Sequence, residues 1–229
     1  MMEGATNSLH TMADAPGVPM ELEQGAYALL YTLYGHARSI ASIAFAPDGE
    51  RIASAGSDRQ VQIWSTRTGR MLHSLAGHEG GINAVCWTRD GKYVASASDD
   101  RTVRLWDVEK AQLAHTYTGH TSYVFCIACH PQSTLLVSGS FDETIRLWDL
   151  QRGTCHRTIS AHSEAVTGVD FSRDGTMIAS CSYDGLMCVC TTDAAGFGTQ
   201  AQATVFARSS TARKRRSPLC SFRLHPYSC

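Results

Sequence analysis

Residues 119–149 read GHTSYVFCIACHPQSTLLVSGSFDETIRLWD, and the landmarks of this stretch recur along the chain at one fixed interval. A Gly-His pair opens the stretch, a Trp-Asp pair closes it, and a Ser and an Asp lie between them. The equivalent positions follow one another every 42 residues. They are His36, His78, His120 and His162; Ser54, Ser96, Ser138 and Ser180; Asp58, Asp100, Asp142 and Asp184; and Trp64, Trp106 and Trp148, with Cys190 in the fourth place of the last series. A period of this length is typical of propeller blades or of arrays of helix pairs.

Each repeat unit has the pattern of four short strands. In the first unit these are predicted at 27–33, 40–44, 51–55 and 61–64. Asp48-Gly49 provides a tight hairpin turn, which recurs as Asp90-Gly91 and Asp174-Gly175, whereas the third unit has Pro131-Gln132-Ser133 in its place. Because no helical spacing occurs within the unit, the pattern favours propeller blades over helix pairs.

The repeats divide the chain into three parts. Residues 1–26 have mixed polarity and no sustained period, so we predict a flexible N-terminal arm. Four repeats follow, at 27–69, 70–111, 112–153 and 154–193. The remainder, 194–229, contains six Lys or Arg and no Asp or Glu.

The basic tail at 194–229 has two interpretations. Its cluster at 208–216 is typical of a nuclear-import or nucleic-acid patch. Alternatively, the tail is solvated and disordered and arises from a shifted reading frame or a retained intron. Within it, residues 199–207 alternate weakly and are compatible with one last outer strand.

Composition and charge exclude several classes of protein. With 43% hydrophobic and 18% charged residues, the chain falls in the ordinary soluble class. No apolar run approaches the roughly 18 residues that a membrane-spanning helix needs, and the N-terminus lacks the apolar core of a signal peptide. Residues 1–193 contain 14 Lys or Arg against 21 Asp or Glu, so their net charge of −7 argues against direct nucleic-acid binding. We expect a nuclear location, or otherwise a cytoplasmic one.

The nine cysteines do not form a metal-binding pattern. Cys126 and Cys129 lie three residues apart in a predicted strand, so their side chains point to opposite faces and do not converge on one metal ion. We predict that Cys86, Cys155, Cys181 and the others are buried, reduced residues. No nucleophile with a nearby base, carboxylate pair or phosphate-binding loop is evident, and we predict no enzymatic activity and no cofactor.

The repeats resemble the WD-repeat family over residues 27–193. Gly77-His78 and Gly119-His120 open units that end in Trp106-Asp107 and Trp148-Asp149, whereas the first and fourth units end in Trp-Ser and Cys-Thr. The resemblance implies an all-β, incomplete β-propeller of about four blades of an expected seven, acting as a non-catalytic scaffold. It also implies that the His, Ser, Asp and Trp of each unit form a hydrogen-bonded network. The fourth unit lacks the indole donor, so we expect its blade to be the least rigid.

A closer resemblance is to the WD-repeat subunit of the SET/MLL-type complexes that methylate a lysine on the histone H3 tail. The segments that match are 119–126 (GHTSYVFC), 131–133 (PQS), 138–143 (SGSFDE) and 182–186 (SYDGL). This likeness implies that the opening of the ring accepts an arginine side chain of a peptide, and that the partners are histone tails or methyltransferase-complex subunits.

The same resemblance implies a set of peptide-binding residues. Phe125 matches one of two phenylalanines that enclose the arginine, Asp99 an acidic residue near the pocket, and Phe141 and Tyr183 aromatic residues on its rim. Ser57, Asn83 and Thr167 take the places of other small pocket residues. The second phenylalanine belongs to a later repeat without a counterpart here, so we expect arginine binding to be weakened or absent.

Four repeats do not suffice for the ring that the resemblance implies. Seven repeats need about 294 residues, so the first and last blades are each expected to expose a bare face. We expect these faces to be covered by another protein or by self-association, or the chain to be an incomplete product. The alternatives to the histone-methyltransferase scaffold are a WD-repeat assembly scaffold of another pathway and a truncated isoform or gene-model fragment.

Overall fold

The computed structural model describes residues 28–192 and the strand at 204–206. Residues 28–32 belong to one unit of the chain, Met1–Thr32, and have no regular secondary structure. The second unit, Leu33–Cys229, contains all the strands of the described residues. The arm predicted at 1–26 and the tail at 194–229, apart from 204–206, lie outside the described residues.

The strands form four antiparallel sheets, here called blades 1 to 4, and each blade has four strands in chain order. Blade 1 consists of β1 (Ile40–Phe45), β2 (Arg51–Gly56), β3 (Gln60–Ser65) and β4 (Met71–Ala76). Blade 2 consists of β5 (Ile82–Trp87), β6 (Tyr93–Ser98), β7 (Val103–Asp107) and β8 (Gln112–Tyr117). Blade 3 consists of β9 (Val124–Cys129), β10 (Leu135–Ser140), β11 (Ile145–Asp149) and β12 (Thr154–Ile159). Blade 4 consists of β13 (Val166–Phe171), β14 (Met177–Ser182), β15 (Met187–Thr191) and β16 (Thr204–Phe206).

Each of the first three blades takes its strands from two sequence repeats. The fourth strand of blade 1, β4, follows Trp64 and lies in the second repeat, and the same offset holds for β8 and β12. The strand predicted at 27–33 is therefore wrong for residues 28–33, which have no strand. In blade 4 the fourth strand is β16, which lies within the predicted segment 199–207 and pairs with β15.

The hairpin between the first and second strands has the same geometry in all four blades. Gly49, Gly91 and Gly175 adopt positive φ angles of 71°, 67° and 76°. Ser133 takes the same left-handed conformation in blade 3, with a φ of 55°, and its N–H donates to the carbonyl of His130 at 2.8 Å. The turn predicted from Pro131-Gln132-Ser133 is thus confirmed, although a serine adopts a conformation that glycine adopts more readily.

The blades pack face to face in sequence order. The first strands are neighbours, because β1 contacts β5, β5 contacts β9 and β9 contacts β13. Apolar side chains of consecutive blades fill the space between them, as Ile63 of blade 1 and Val85 of blade 2 do. Two further clusters join blade 2 to blade 3 and blade 3 to blade 4. The all-β, partial propeller predicted from the repeats is confirmed.

The cysteines of the described residues form no disulfide, and most are buried or partly buried. Cys126 packs between blades 3 and 4, whereas Cys129 packs between blades 2 and 3, so the predicted opposite orientation is confirmed. Burial raises the pKa of both thiols to about 12. Cys181 differs from the prediction: it is exposed, because it lies on the face of blade 4 that no described residue covers. No helix in residues 28–192 is long and apolar enough to cross a membrane.

Candidate functional site

A hydrogen-bonded network of four side chains closes one end of each of the first three blades. In blade 2 the Nδ1–H of His78 donates to Asp100 Oδ2 at 2.7 Å, and Ser96 Oγ lies 2.7 Å from His78 Nε2. The indole N–H of Trp106 donates to the same Ser96 oxygen at 2.8 Å. The carboxylate accepts from Nδ1, so the tautomer leaves Nε2 to accept from the serine hydroxyl. The implied networks of blades 1 and 3 have the same bonds between 2.7 and 2.8 Å: His36, Ser54, Asp58 and Trp64; and His120, Ser138, Asp142 and Trp148.

The network of blade 4 is incomplete. His162 Nδ1 lies 2.9 Å from Asp184 Oδ2, and its Nε2 lies 2.9 Å from Ser180 Oγ. The place of the indole is taken by Cys190, which is buried and makes no hydrogen bond to Ser180. In all four blades both imidazole nitrogens of the network histidine bond to side chains of the same blade.

A glycine and a tryptophan occur together in the complete networks. A Cβ added to Gly77 would lie 3.0 Å from Cη2 of Trp106, and a Cβ on Gly35 or Gly119 would meet the indole of its own blade in the same way. In blade 4, where the indole is replaced by a thiol, the equivalent position is Ala161. In blades 1 to 3 the glycine before the histidine therefore makes room for the tryptophan and for the Gln62, Arg104 or Arg146 side chain beside it.

The two middle blades have one more hydrogen-bond donor than the outer blades. Thr102 Oγ1 donates to Asp100 Oδ1 at 2.6 Å, and Thr144 Oγ1 donates to Asp142 at the same distance. The equivalent residues of blades 1 and 4 are Gln60 and Leu186. Burial raises the pKa of Asp100, but the bonds from its histidine and threonine outweigh burial and hold the pKa far below the ordinary value. Asp142 has the same balance, and the carboxyls of Asp58 and Asp184 also have lowered pKa values.

The predicted peptide-binding residues fall into two structural series at the network end of the blades. Asn83, Phe125 and Thr167 share one repeat position with Ala41, and each lies where the pairing of the first and second strands shifts by one residue. Such a β-bulge redirects a side chain and is common beside binding sites. The bulge explains why these residues do not follow the simple alternation of their strands.

The second series occupies the turn between the second and third strands. Ser57, Asp99, Phe141 and Tyr183 are equivalent, and the backbone N–H of each donates to the loop that precedes the first strand of its own blade. The donor–acceptor distances are between 2.9 and 3.1 Å, for example from Phe141 N to Tyr123 O. The residue two positions after each has a positive φ angle; this position holds Arg59, Arg101, Glu143 and Gly185. These bonds fix the turn beside the bulge.

In blade 3 the two series meet as a pair of aromatic rings, Phe125 and Phe141. Their centroids lie 6.0 Å apart with an interplanar angle of 64°, which is an edge-to-face arrangement. Phe125 is partly buried and Phe141 is 52% exposed. The pair therefore presents an accessible aromatic surface at the end of the blade.

Blade 2 places polar groups at the corresponding positions. Asn83 Nδ2 donates to Asp99 Oδ1 at 2.8 Å and to the carbonyl of Val124 in blade 3 at 3.0 Å. The first bond holds the Asp99 carboxylate in position, and the second ties blade 2 to the first strand of the blade that carries the aromatic pair. The acidic group and the rings thus belong to one connected surface.

The remaining predicted residues make no described contact with the Phe125–Phe141 pair or with Asp99. Ser57 accompanies Ser39, with their hydroxyl oxygens 3.0 Å apart, on the exposed end of blade 1. Thr167 donates its hydroxyl to the carbonyl of Cys181 at 3.4 Å, which leaves it turned along blade 4. Tyr183 is 70% exposed and makes no ring contact with the described residues.

Tyr123 belongs to this surface and was not among the predicted residues. It is half-exposed, and with Glu79, Asp99 and Arg101 it lines a groove of about 440 Å³ between blades 2 and 3. The repeat pattern carries no signal for it, because the equivalent positions of the other blades hold Ser39, Gly81 and Ala165. The surface formed by Tyr123, Phe125, Phe141, Asn83 and Asp99 is here called the aromatic rim.

Comparison with known proteins identifies the repeats. Residues 27–65, 69–107, 111–149 and 153–190 match the family described as WD domain, G-beta repeat (WD40). Vegetative incompatibility protein HET-E-1 of Podospora anserina is 45% identical over 42 residues, 18% of this chain and 3% of that protein. Protein Mut11 of Chlamydomonas reinhardtii is 42% identical over 44 residues, 19% of this chain and 12% of that protein. WD repeat-containing protein SL1-17 of Schistosoma mansoni is 35% identical over 69 residues, 30% of this chain and 20% of that protein.

Proposed function

The chain belongs to the WD40 repeat family, and we propose that it is a non-catalytic scaffold whose aromatic rim binds a peptide segment through an arginine side chain. WD40 repeats are generally protein-interaction scaffolds. The observation that carries the finer proposal is the accessible edge-to-face pair of Phe125 and Phe141, with an oriented carboxylate nearby on the adjacent blade. All three side chains are held by the bulge and turn geometry of the fold.

An arginine is the side chain that best fits this combination. Its guanidinium is planar, always charged and weakly hydrated, so it stacks on an aromatic face. Asp99 supplies a carboxylate, and its bond to Asn83 keeps that carboxylate oriented without a bound peptide. Because Phe125 and Phe141 already contact each other, an arginine stacks on the outer face of the pair rather than between the two rings.

A histone tail or a subunit of a histone methyltransferase complex is the partner that we propose, in the nucleus. This step rests on the likeness of residues 119–126, 131–133, 138–143 and 182–186 to the WD-repeat subunit of those complexes. The rim residues Phe125 and Phe141 lie within two of these segments. The net charge of −7 on residues 1–193 suits a basic tail as ligand.

The second candidate is an assembly scaffold of another pathway. The three relatives have names that indicate no common pathway, and each matches this chain only over a segment of one or two repeats. A repeat that is common to such different proteins fixes the fold and not the partner.

A peptide titration distinguishes the two candidates. We expect an arginine-containing histone H3 tail peptide to bind, and the same peptide with lysine for arginine to bind at least several-fold more weakly. Phe125→Ala should weaken binding on the order of tenfold, the equivalent of about 1.4 kcal/mol. Tyr34→Ala is the control, because this exposed tyrosine belongs to neither series of rim positions. Equal binding of an unrelated arginine peptide favours the second candidate, and no binding to either peptide contradicts the rim proposal.

A further inference from the structure

The first blade leaves one apolar face uncovered by the described residues. Ile43 and Phe45 of β1 are 67% and 65% exposed, whereas the equivalent Val85 and Trp87 of blade 2 are 6% and 7% exposed. The difference has a simple cause: the equivalent face of blade 2 packs on blade 1, whereas no described strand packs on this face of blade 1. Ile43 and Phe45 are large apolar residues, and such residues form the core between the other blades.

The last blade leaves its opposite face uncovered. Met187 of β15 is 49% exposed, although the equivalent Val103 and Ile145 are fully buried between blades. Ala179 and Cys181 of β14 are exposed beside it, and the three residues line a shallow apolar depression. The equivalents of this face in blades 1 to 3 all pack on the following blade.

These two faces are the two halves of an interface that the protein already forms three times. In each case the later face of one blade meets the earlier face of the next. At the junction of blades 3 and 4, Gly139 and Val166 approach so closely that a Cβ placed on Gly139 would lie 2.6 Å from Cγ1 of Val166. At the junction of blades 1 and 2 the same positions hold Ala55 and Ile82, which are both buried in the core that the two blades share. The equivalent of Gly139 on the open face of blade 4 is Cys181, and the equivalent of Val166 on the open face of blade 1 is Ile40.

We propose that a second copy of this chain covers these faces, with blade 1 of one copy packed on blade 4 of the other in the manner of consecutive blades. The open face of blade 1 then meets the open face of blade 4, and not a second copy of itself, so each contact is heterologous. Two copies supply eight blades, which is within the four to eight blades that propellers contain. With both junctions formed, the two copies close a ring with twofold symmetry and no apolar blade face stays exposed to water.

One residue of the proposed interface weakens it. Asp170 lines the apolar depression on blade 4, at a position that is occupied by Ala44, Cys86 and Ala128 in the other blades. Its Oδ1 accepts from the backbone N–H of Phe171 at 2.8 Å, but a carboxylate that loses water without a positive charge beside it opposes burial. The association is therefore expected to be reversible, and Asp170→Ala is expected to tighten it.

Disulfide trapping tests the geometry of the contact. Ile40→Cys places a thiol opposite the native Cys181 of the neighbouring copy, and mild oxidation should give a disulfide-linked dimer that is lost on reduction. Cys181→Ser in the same background should abolish the crosslink. Glu109→Cys is the control for random oxidation, because this exposed residue lies away from both faces. Crosslinking of Ile40→Cys that does not exceed this control, or that persists without Cys181, overturns the interface.

Sedimentation of the wild-type chain tests the closed ring. We expect a species of twice the chain mass that dissociates on dilution, a several-fold tighter association for Asp170→Ala, and a monomer for Phe45→Asp. Sedimentation is measured without a peptide, so its result does not depend on whether the aromatic rim binds arginine. A wild-type monomer at every concentration overturns the proposal, and a species that continues to grow with concentration overturns the closed ring.

Discussion

The two middle blades and the two outer blades have nearly the same sequence pattern, but they differ in what surrounds them. In blade 3, Leu136 and Val137 of β10 are both fully buried, one on each face of the sheet. In blade 4, the equivalent Ile178 is buried while Ala179 is exposed. The second strand is thus covered by neighbouring blades on both faces of the sheet in blade 3, and on one face only in blade 4. Burial in this fold is decided by the neighbouring blade rather than by the local sequence.

The same division appears in the polar networks. Blades 2 and 3 contain the indole, the glycine beside it and a threonine that donates to the aspartate. Blade 4 has replaced all three, by Cys190, Ala161 and Leu186. Blade 1 is intermediate, because it keeps the indole and the glycine but has Gln60 in place of threonine. The middle blades therefore have the most complete networks.

The largest difference is expected on removal of the indole. Trp106→Ala deletes a buried ring and the donor to Ser96, and should lower the free energy of unfolding by about 4 kcal/mol. Cys190→Ala in blade 4 removes one sulfur atom and no bond to the serine, and should cost about 1 kcal/mol. Urea denaturation followed by circular dichroism measures both. Equal losses would mean that the middle and outer networks contribute alike.

Loss of the network carboxylate should have the next largest effect, and it should depend on pH. Asp100→Asn is expected to lower the free energy of unfolding by roughly 2 kcal/mol at neutral pH. The folded pKa of Asp100 lies below that of the unfolded chain, so the unfolded chain takes up the proton first as the pH falls. The stabilisation is therefore complete above about pH 4 and is lost below it.

The pH dependence of that variant provides the control. Urea denaturation at several values between about pH 6 and pH 3 should show a smaller decrease in stability for Asp100→Asn than for the wild type. Asp184→Asn, at the equivalent position of blade 4, should remove less of the decrease because Leu186 donates no side-chain hydrogen bond to it. An identical pH profile for the wild type and Asp100→Asn would contradict the role of this carboxylate.

A double-mutant cycle can sharpen the comparison by building a middle-blade network in blade 4. Cys190→Trp alone should destabilise, because the indole meets the Ala161 methyl group. Ala161→Gly removes that methyl group and restores the spacing seen between Gly77 and Trp106. We expect the two changes to be coupled favourably, on the order of 1 to 2 kcal/mol, in urea denaturation of the four proteins. Additive effects would show that the glycine and the tryptophan are independent.

The smallest of these effects should come from the threonine donor. Thr102→Val keeps the shape of the side chain and removes its bond to Asp100, and should lower the free energy of unfolding by about 1 kcal/mol. Thr118→Val is the matched control, because Thr118 is exposed and lies outside the network. A shift of the urea midpoint that is no larger than that of the control would mean that the Thr102 hydrogen bond does not stabilise the network of blade 2.

The fold could be predicted from the sequence because its determinants lie in a strict period. The spacing of 42 residues places a His, a Ser and an Asp at equivalent points of every blade, and the same period predicts the four sheets. The strand at 27–33 was wrong for a physical reason. Its pattern matches β4, β8 and β12, which pair with strands of the preceding repeat, and among the described residues no sheet precedes the first repeat for this segment to complete.

The candidate site was less accessible to sequence reasoning. Phe125 and Phe141 were named from a resemblance, but their edge-to-face contact depends on a β-bulge that strand alternation does not predict. Tyr123 was missed because the loop before each first strand carries a different residue in every blade. The exposure of Cys181 depends on a neighbouring blade, which no local pattern reports.

The offset between repeats and sheets has a consequence for how such chains change in evolution. Because the outer strand of blades 1 to 3 is encoded by the next repeat, a whole repeat that is gained or lost in frame leaves the three inner strands of every surviving blade together, and the next surviving repeat supplies the outer strand. A break placed at a repeat boundary removes instead the outer strand of the preceding sheet. Gene duplication in units of 42 codons can thus lengthen this protein blade by blade without inventing a new contact.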